Sequence, residues 1–257
     1  RIAMATEAKV CPFCGGTGWR IHEIGGLSGA ERCDCFKVHR AARLVESANV
    51  PANYTKASFE NFSIVHHDKQ QETRLVDSFK AAYDFAERFP QRTEKPGLLF
   101  AGPTGAGKTH LAVAVMRRLM QKGFESVFFG YQELLEKLKS SYDPAYGAAL
   151  RESYQRALEC EVLVLDDLGA YRVTDWVLDT VTHLITVRCN ERRPVIATTN
   201  LVEGRADLTR KGMGGETDTR YLLGERIGER ARSRLMEMCS IIRMHGISDY
   251  RERPVGR

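Results

Sequence analysis

The sequence contains no long hydrophobic run, no internal repeat and no low-complexity tract. Apolar stretches such as the one from Val162 to Leu165 fall far short of the roughly 20 residues that a membrane-spanning helix needs. A positively charged start followed by an apolar stretch and a small-residue cleavage site, the pattern of an export signal, is also absent. We therefore expect a protein that does not span a membrane and that acts in the cytoplasm.

The overall composition is that of an ordinary globular protein. Of the 257 residues, 43% are hydrophobic and 28% are charged, which is enough apolar material for a sizeable core. The formal net charge of +5 is a mild basic excess. Such an excess permits contact with nucleic acid without requiring it, so charge alone does not select a function.

Four of the seven cysteines lie within the first 35 residues, at positions 11, 14, 33 and 35. An odd total with a clustered subset favours reduced thiols and a metal site over disulfides. Cys11, Cys14, Cys33 and Cys35 can supply four thiolates to a structural, tetrahedral Zn²⁺. The single-residue gap in the second pair is unusually tight, so His22 or His39 could replace one ligand. Free thiols and an iron–sulfur cluster are the alternatives.

From residue 96 onward, short apolar strands alternate with helices. The predicted strands are 97–101, 126–130, 162–165, 194–199 and 239–244. Strands that are apolar throughout and separated by helices indicate a parallel sheet covered on both faces, so the predicted fold class is α/β. One continuous helix is predicted over residues 225–238. The expected organisation is a cysteine module with a following helix (1–48), a linker and leading helix (49–95), and the α/β domain (96–257).

The strongest motif follows the first of these strands. Residues 102–109 read Gly-Pro-Thr-Gly-Ala-Gly-Lys-Thr, which satisfies the phosphate-binding pattern G-x-x-x-x-G-K-[ST] at the start of a helix. Its backbone N–H groups can wrap phosphates, Lys108 would reach the β- and γ-phosphates, and Thr109 would ligate Mg²⁺. The predicted nucleotide-binding residues are Gly102, Pro103, Thr104, Gly105, Ala106, Gly107, Lys108, Thr109 and His110.

Two further strand ends carry residues suited to hydrolysis. The strand from Val162 ends in Asp166 and Asp167. We predict that Asp166 holds Mg²⁺ and that Asp167 polarises the attacking water, the alternative being a pair that caps the next helix. The strand from Pro194 ends in Asn200, whose amide could touch both the γ-phosphate and that water.

A basic helix follows, with Arg230 and Arg234 four residues apart and therefore on one face. Such a face is usually solvated or paired with glutamates. An arginine placed near the γ-phosphate of a neighbouring subunit would instead stabilise the charge that develops in the transition state.

Together these motifs resemble the AAA+ ATPases, above all the DnaC/DnaI helicase loaders and the IstB-like transposition helpers. Further matches are the segment from Val50 to Phe62 and the Asp-Asp-Leu-Gly sequence at 166–169. The resemblance covers residues 50–251 and implies a five-stranded parallel core without a large C-terminal lid domain. It also implies that Arg234 acts as an arginine finger in trans and that Arg251 senses the nucleotide.

The cysteine module resembles the zinc-bearing front end of some helicase loaders, which docks on the replicative helicase. The expected function is therefore ATP-dependent loading of a DnaB-type helicase onto single-stranded DNA, with self-association through the ATP site. A transposition helper that assembles on duplex DNA and activates a transposase is the alternative. A third reading is an ATP-binding adaptor that does not hydrolyse ATP.

Single-stranded DNA is the remaining ligand that the resemblance implies. Cationic and aromatic side chains follow the second and third strands, where rings could stack bases and cations could track phosphates. The predicted contacts are Lys139, Tyr142, Arg172, Thr174 and Trp176. Core aromatics beside a solvated basic helix are the alternative interpretation.

Overall fold

The computed structural model describes residues 11–15, 17–24, 27–33, 35, 44, 47–64, 68–90, 94–140, 147–201, 203 and 222–252. Most of the helix predicted to follow the cysteine module lies outside these ranges. An N-terminal hairpin pairs two antiparallel strands, β1 (Trp19–Ile24) and β2 (Leu27–Arg32). The sequence reading did not predict this hairpin, which spaces the two cysteine pairs.

The α/β domain contains a five-stranded sheet with the order β4-β5-β6-β3-β7. Its strands are β3 (Gly97–Ala101), β4 (Ser126–Gly130), β5 (Val162–Asp166), β6 (Val195–Thr199) and β7 (Cys239–Arg243). All four neighbouring pairs are parallel, as predicted. The helices are α1 (Lys69–Arg88), α2 (Lys108–Gln121), α3 (Tyr131–Ser140), α4 (Gly147–Glu159), α5 (Asp175–Asn190), α6 (Leu223–Ile227) and α7 (Glu229–Met238).

Two apolar clusters cover the two faces of the sheet. Because successive strand side chains point to opposite faces, Leu98 and Phe100 join one cluster while Leu99 joins the other. Helices α1 and α2 supply the first cluster, and α3 to α7 contribute to the second. None of the helices in the described part of the chain is both long and apolar enough to cross a bilayer.

The prediction of a single helix over residues 225–238 is wrong in one respect, because the structure divides this helix at Gly228. This glycine has a φ of 86° and ψ of 141°, outside the helical region, and it separates α6 from α7. Its N–H still donates to the Gly224 carbonyl, 2.8 Å away, so the two helices meet in a tight bend.

The linker between the hairpin and the α/β domain is an ordered strap that we define as residues 50–64. Asn61 holds it together, since its Oδ1 accepts from the Ser58 N–H at 2.9 Å and its Nδ2 donates to the Lys56 carbonyl at 2.7 Å. The Phe59 ring then packs edge-on against Phe79 of α1, with 5.5 Å between centroids. The strap is therefore fixed beside α1 and α2, close to the phosphate-binding loop.

Arg188 of α5 lies fully buried between α4 and the start of the sheet. Its Nη1 donates to the carbonyls of Ala157 and Cys160 at 2.9 and 3.0 Å, and its Nη2 donates to the Pro194 carbonyl at 2.7 Å. Carbonyls at a helix C-terminus lack intrahelical donors. Arg188 satisfies them and joins α4, β5 and β6 through one side chain.

We predict that Arg188→Met lowers the free energy of unfolding by about 3 kcal/mol or more, because several buried carbonyls lose their donor. The matched control is Arg193→Met, which removes a more exposed guanidinium that donates to a single carbonyl, that of Leu158. Urea denaturation of the two variants and the parent measures the difference. A loss of less than about 1 kcal/mol for Arg188→Met would contradict the assigned role.

Candidate functional site

The phosphate-binding loop connects β3 to α2 and lies at the carboxyl edge of the sheet. Gly107 has a φ of 96° and precedes the first residue of α2, Lys108. A Cβ at Gly107 would come within 2.7 Å of the Phe62 ring, so only glycine allows the strap to lie this close. The loop's close approach to the strap follows directly from the glycines of the motif.

Lys108 is 5% exposed and makes two hydrogen bonds at this edge. Its Nζ donates to the Pro103 carbonyl at 2.7 Å and to Oδ1 of Asn200 at 2.6 Å. Burial lowers the pKa of Lys108, while the nearby carboxylates of Asp167 and Asp166 act in the opposite direction. A buried ammonium group aimed at the loop is suited to hold a phosphate anion.

Asp166 is the last residue of β5, and its carboxylate accepts hydrogen bonds from two hydroxyl groups. Its Oδ1 accepts from Thr109 at 2.9 Å and from Thr198 at 2.7 Å. Burial raises the pKa of the Asp166 carboxyl, and the hydrogen bond from Thr198 opposes that change. A carboxylate and a threonine hydroxyl in direct contact are the pair of oxygen ligands that Mg²⁺ takes in phosphate-binding loops.

Thr198 is a site residue that sequence reasoning missed, although its motif was noted for Asn200. Its hydroxyl accepts from the Asp167 N–H at 2.9 Å while donating to Asp166, so it fixes both acids. Asp167 has a φ of 54°, and its carboxylate points toward Asn200, whose Nδ2 lies 3.4 Å away. The carboxylates of these neighbouring residues therefore have different hydrogen-bond partners and can serve different roles.

These groups open into one cavity of about 680 Å³. It is lined by Thr104 to His110, Asp166, Asp167, Asn200, Tyr250, Arg251 and several residues of α1 and the strap. The strap contributes Tyr54, Asn61, Phe62 and Ser63, which the sequence reading did not assign to the site. The apolar and aromatic strap residues beside the phosphate loop provide a surface on which a nucleotide base can lie.

Three of the predicted nucleotide-binding residues either lie away from the cavity or have additional hydrogen-bond partners. Gly102 packs against the backbone of Met244 and does not line the cavity. Pro103 contributes through its carbonyl, which accepts from Lys108. His110 lines the cavity and its Nε2 lies 2.8 Å from the Ser58 carbonyl, so it also anchors the strap.

The structure brings Arg251 to this cavity and places Arg234 elsewhere. The Tyr250 N–H donates to the Gly105 carbonyl at 3.1 Å, and Nε of Arg251 lies 3.8 Å from Oδ1 of Asp249. Arg234 projects from α7 into a separate groove, where it pairs with Glu237 at 2.8 Å. An action of Arg234 on a phosphate therefore requires the cavity of another copy.

A second, smaller pocket of about 320 Å³ contains four of the five residues predicted to contact DNA, Lys139, Arg172, Thr174 and Trp176. Lys139, Tyr171, Arg172, Thr174, Trp176 and Val177 line it. Thr174 also caps α5, since its hydroxyl accepts from the Val177 N–H at 3.3 Å. Tyr142 lies outside the described residues. Aromatic rings and exposed cations therefore meet at one place on the surface, while contact with DNA stays a prediction.

The four N-terminal cysteine sulfurs lie within 4.8 Å of one another. The Cys11 and Cys33 sulfurs are 3.8 Å apart, and those of Cys14 and Cys35 are 3.2 Å apart. Tetrahedral coordination with 2.3 Å metal–sulfur bonds separates sulfurs by about 3.8 Å, so the cluster could hold one metal ion. The side chains of His22 and His39 lie outside what the structure describes.

Comparison with known proteins assigns this architecture to a family. Residues 32–209 match the family model described as IstB-like ATP binding protein. The chain is 25% identical over 180 residues to the uncharacterized protein YqaM of Bacillus subtilis, covering 67% of this chain and 55% of YqaM. It is 24% identical over 210 residues to the replicative helicase loader DnaC of Buchnera aphidicola subsp. Schizaphis graminum, covering 82% and 77%.

Among solved structures, the crystal structure of the DnaC helicase loader is similar, with a TM-score of 0.58 and 30% identity. That match covers 75% of this chain and 99% of the DnaC chain. The family match spans the phosphate-binding loop, the acidic strand and Asn200, which line most of the cavity, whereas Tyr250 and Arg251 lie outside the matched residues. The chain belongs to the family of IstB-like ATP binding proteins.

Proposed function

We propose that this chain is an ATPase that loads a ring-shaped, DnaB-type replicative helicase onto single-stranded DNA. The observation that carries the proposal is the cavity at the carboxyl edge, where Lys108, Asp167 and Asn200 form a connected polar chain beside Asp166. The 30% identity with the DnaC helicase loader structure, together with the cysteine module, favours a loader over the transposition helper.

In this proposal each residue at the cavity has a separate task in ATP hydrolysis. Lys108 contacts the β- and γ-phosphates, and Thr109 and Asp166 hold Mg²⁺. When bound, that ion neutralises charge on the phosphate oxygens. Asp167 accepts a hydrogen bond from the attacking water and aligns it, while Asn200 contacts both this water and the γ-phosphate. Arg234 of a second copy stabilises the charge that develops in the transition state.

The small pocket beside α5 is proposed to hold single-stranded DNA. The rings of Tyr171 and Trp176 offer stacking surfaces, and the exposed Lys139 and Arg172 offer cations for the phosphates. Stacking of this kind tolerates any base sequence, which suits a protein that must load a helicase at a melted origin or fork.

The cysteine module is proposed to bind structural Zn²⁺ and to contact the helicase. Phe13 and Ile21 are 71% and 77% exposed, so two apolar side chains of the module face solvent. The guanidinium of Arg20 lies over the Phe13 ring, 4.8 Å from its centroid, and helps to hold the ring outward. These exposed side chains are the proposed contact for the partner.

Hydrolysis is tested by Asp167→Asn, which preserves shape and removes the charge that aligns the water. We expect ATP affinity within about threefold of the parent and turnover lower by about 100-fold or more, measured by phosphate release with single-stranded DNA present. The matched control is Asp77→Asn on the exposed face of α1. A parent protein that binds ATP but shows no turnover even with single-stranded DNA and a DnaB-type helicase present would instead support the non-hydrolysing adaptor.

Helicase loading is tested by capture of a purified DnaB-type helicase on the full-length chain, with and without ATP. We expect Phe13→Ser combined with Ile21→Ser to reduce capture by about tenfold or more while the zinc content stays unchanged. Val76→Ser, which alters an exposed apolar residue of α1, is the matched control. If the parent captures no helicase under either condition and assembles on duplex DNA, the transposition helper is the better reading.

A further inference from the structure

Helices α6 and α7, joined at Gly228, form a unit that we call the helix elbow (residues 223–238). It carries Arg234, the proposed finger, and packs against α5 through buried side chains that include Leu223 and Ile227. Two arginines of the elbow reach away from it to backbone carbonyls of neighbouring segments. Arg226 reaches the loop after β5, and Arg232 reaches the segment after β6.

Arg226 makes a two-pronged contact with the loop that follows the acidic strand. Its Nε donates to the Gly169 carbonyl and its Nη2 donates to the Tyr171 carbonyl, both at 2.9 Å. Tyr171 belongs to the pocket proposed for single-stranded DNA, and Gly169 lies two residues after Asp167. One guanidinium therefore connects the elbow to a loop that links the DNA pocket with the hydrolytic acids.

The loop is closely packed at this contact. Gly169 has a φ of 88°, and a Cβ there would meet Cδ1 of Leu201 at 2.5 Å and Cβ of Arg226 at 3.2 Å. Leu201 follows Asn200, so this glycine lies between the end of β6 and the elbow. Close packing of this kind transmits a displacement from one segment to the next because no void absorbs it.

Arg232 anchors the elbow a second time, on the segment that follows Asn200. It is 9% exposed, and its Nε donates to the Glu203 carbonyl at 2.8 Å. The Glu203 carboxylate is itself buried and pairs with Arg243 at the end of β7. The elbow is thus bonded both to the loop after β5 and to the segment after β6, which follow Asp167 and Asn200 of the cavity.

We propose that Arg226 is a positioning residue that couples occupancy of the DNA pocket to the placement of Arg234. This inference rests on the proposed function and deepens it by naming how single-stranded DNA regulates ATP hydrolysis. Single-stranded DNA that stacks on Tyr171 displaces the loop. Arg226 transmits this displacement through α6 to Arg234 on α7. The coupling also works in reverse, since linkage between two binding sites is reciprocal.

The test is Arg226→Lys, which keeps the charge and replaces a planar fork by a single ammonium that cannot fix both carbonyls. The control is Arg193→Lys, which alters another arginine bonded to a backbone carbonyl, that of Leu158, outside this loop. ATP turnover is measured with and without an oligothymidylate. The affinity for that oligonucleotide is measured with ADP and with a slowly hydrolysed ATP analogue.

We expect Arg226→Lys to bind ATP and the oligonucleotide individually as the parent does. Stimulation of turnover by DNA should fall by about fivefold or more, and the DNA affinity should no longer depend on which nucleotide is bound. A merely structural residue would change the melting temperature or both affinities instead. Arg226→Gln provides a second variant if the lysine variant is unstable.

Two results overturn the inference. If the parent is stimulated by DNA and Arg226→Lys is stimulated equally, Arg226 does not couple the sites although the proposed function stands. If DNA leaves turnover of the parent unchanged, the inference and the DNA-dependent part of the proposed function both fail. Loss of ATP binding or DNA binding in both variants also contradicts a coupling role, because it assigns Arg226 to folding.

Discussion

The structure depends on buried charges of both signs that meet at one edge of a parallel sheet. Lys108 is almost fully buried, and its two hydrogen-bond acceptors, the Pro103 carbonyl and the Asn200 amide oxygen, are both neutral. Asp166 accepts hydrogen bonds from the hydroxyl groups of Thr109 and Thr198. Buried charges are costly unless they are paired. The loop and the buried Lys108 therefore suit an anionic ligand, in keeping with membership of a family of ATP-binding proteins.

The strand order explains how that edge influences the rest of the domain. Strands β5, β6 and β3 are neighbours, so the acids, Asn200 and the phosphate-binding loop begin within hydrogen-bond reach of one another. Thr198 and Gly169 then connect these strand ends to each other and to the helix elbow. Short, packed segments therefore join the edge of the sheet that carries the phosphate-binding loop to the helix that carries Arg234. The strap contacts the same loop and the start of α2, since Phe62 packs beside Gly107 and its ring centroid lies 5.3 Å from that of His110.

Much of this architecture could be predicted from the sequence because the signals are local. Apolar strands such as Val162–Asp166 are buried on both faces, and the phosphate-binding residues are identified directly by their sequence pattern. Thr198 and Asn61 were not identified because their roles arise only when distant segments fold together. The break at Gly228 was missed because the apolar spacing continues across it, while the glycine's positive φ is a property of the folded chain. Arg226 carries no sequence signal at all, since its partners are backbone carbonyls 55 and 57 residues away.

The central claim is that the ATP site of one chain is completed by Arg234 of another, and mixing two inactive variants tests it most directly. Arg234→Ala keeps an intact cavity and lacks the finger, whereas Asp167→Asn keeps the finger and lacks the aligned water. Turnover of the mixture should exceed the sum of the two variants measured separately, because some cavities then face an intact finger. A protein carrying both substitutions should rescue neither partner. A mixture that shows only the sum of its components would contradict action in trans.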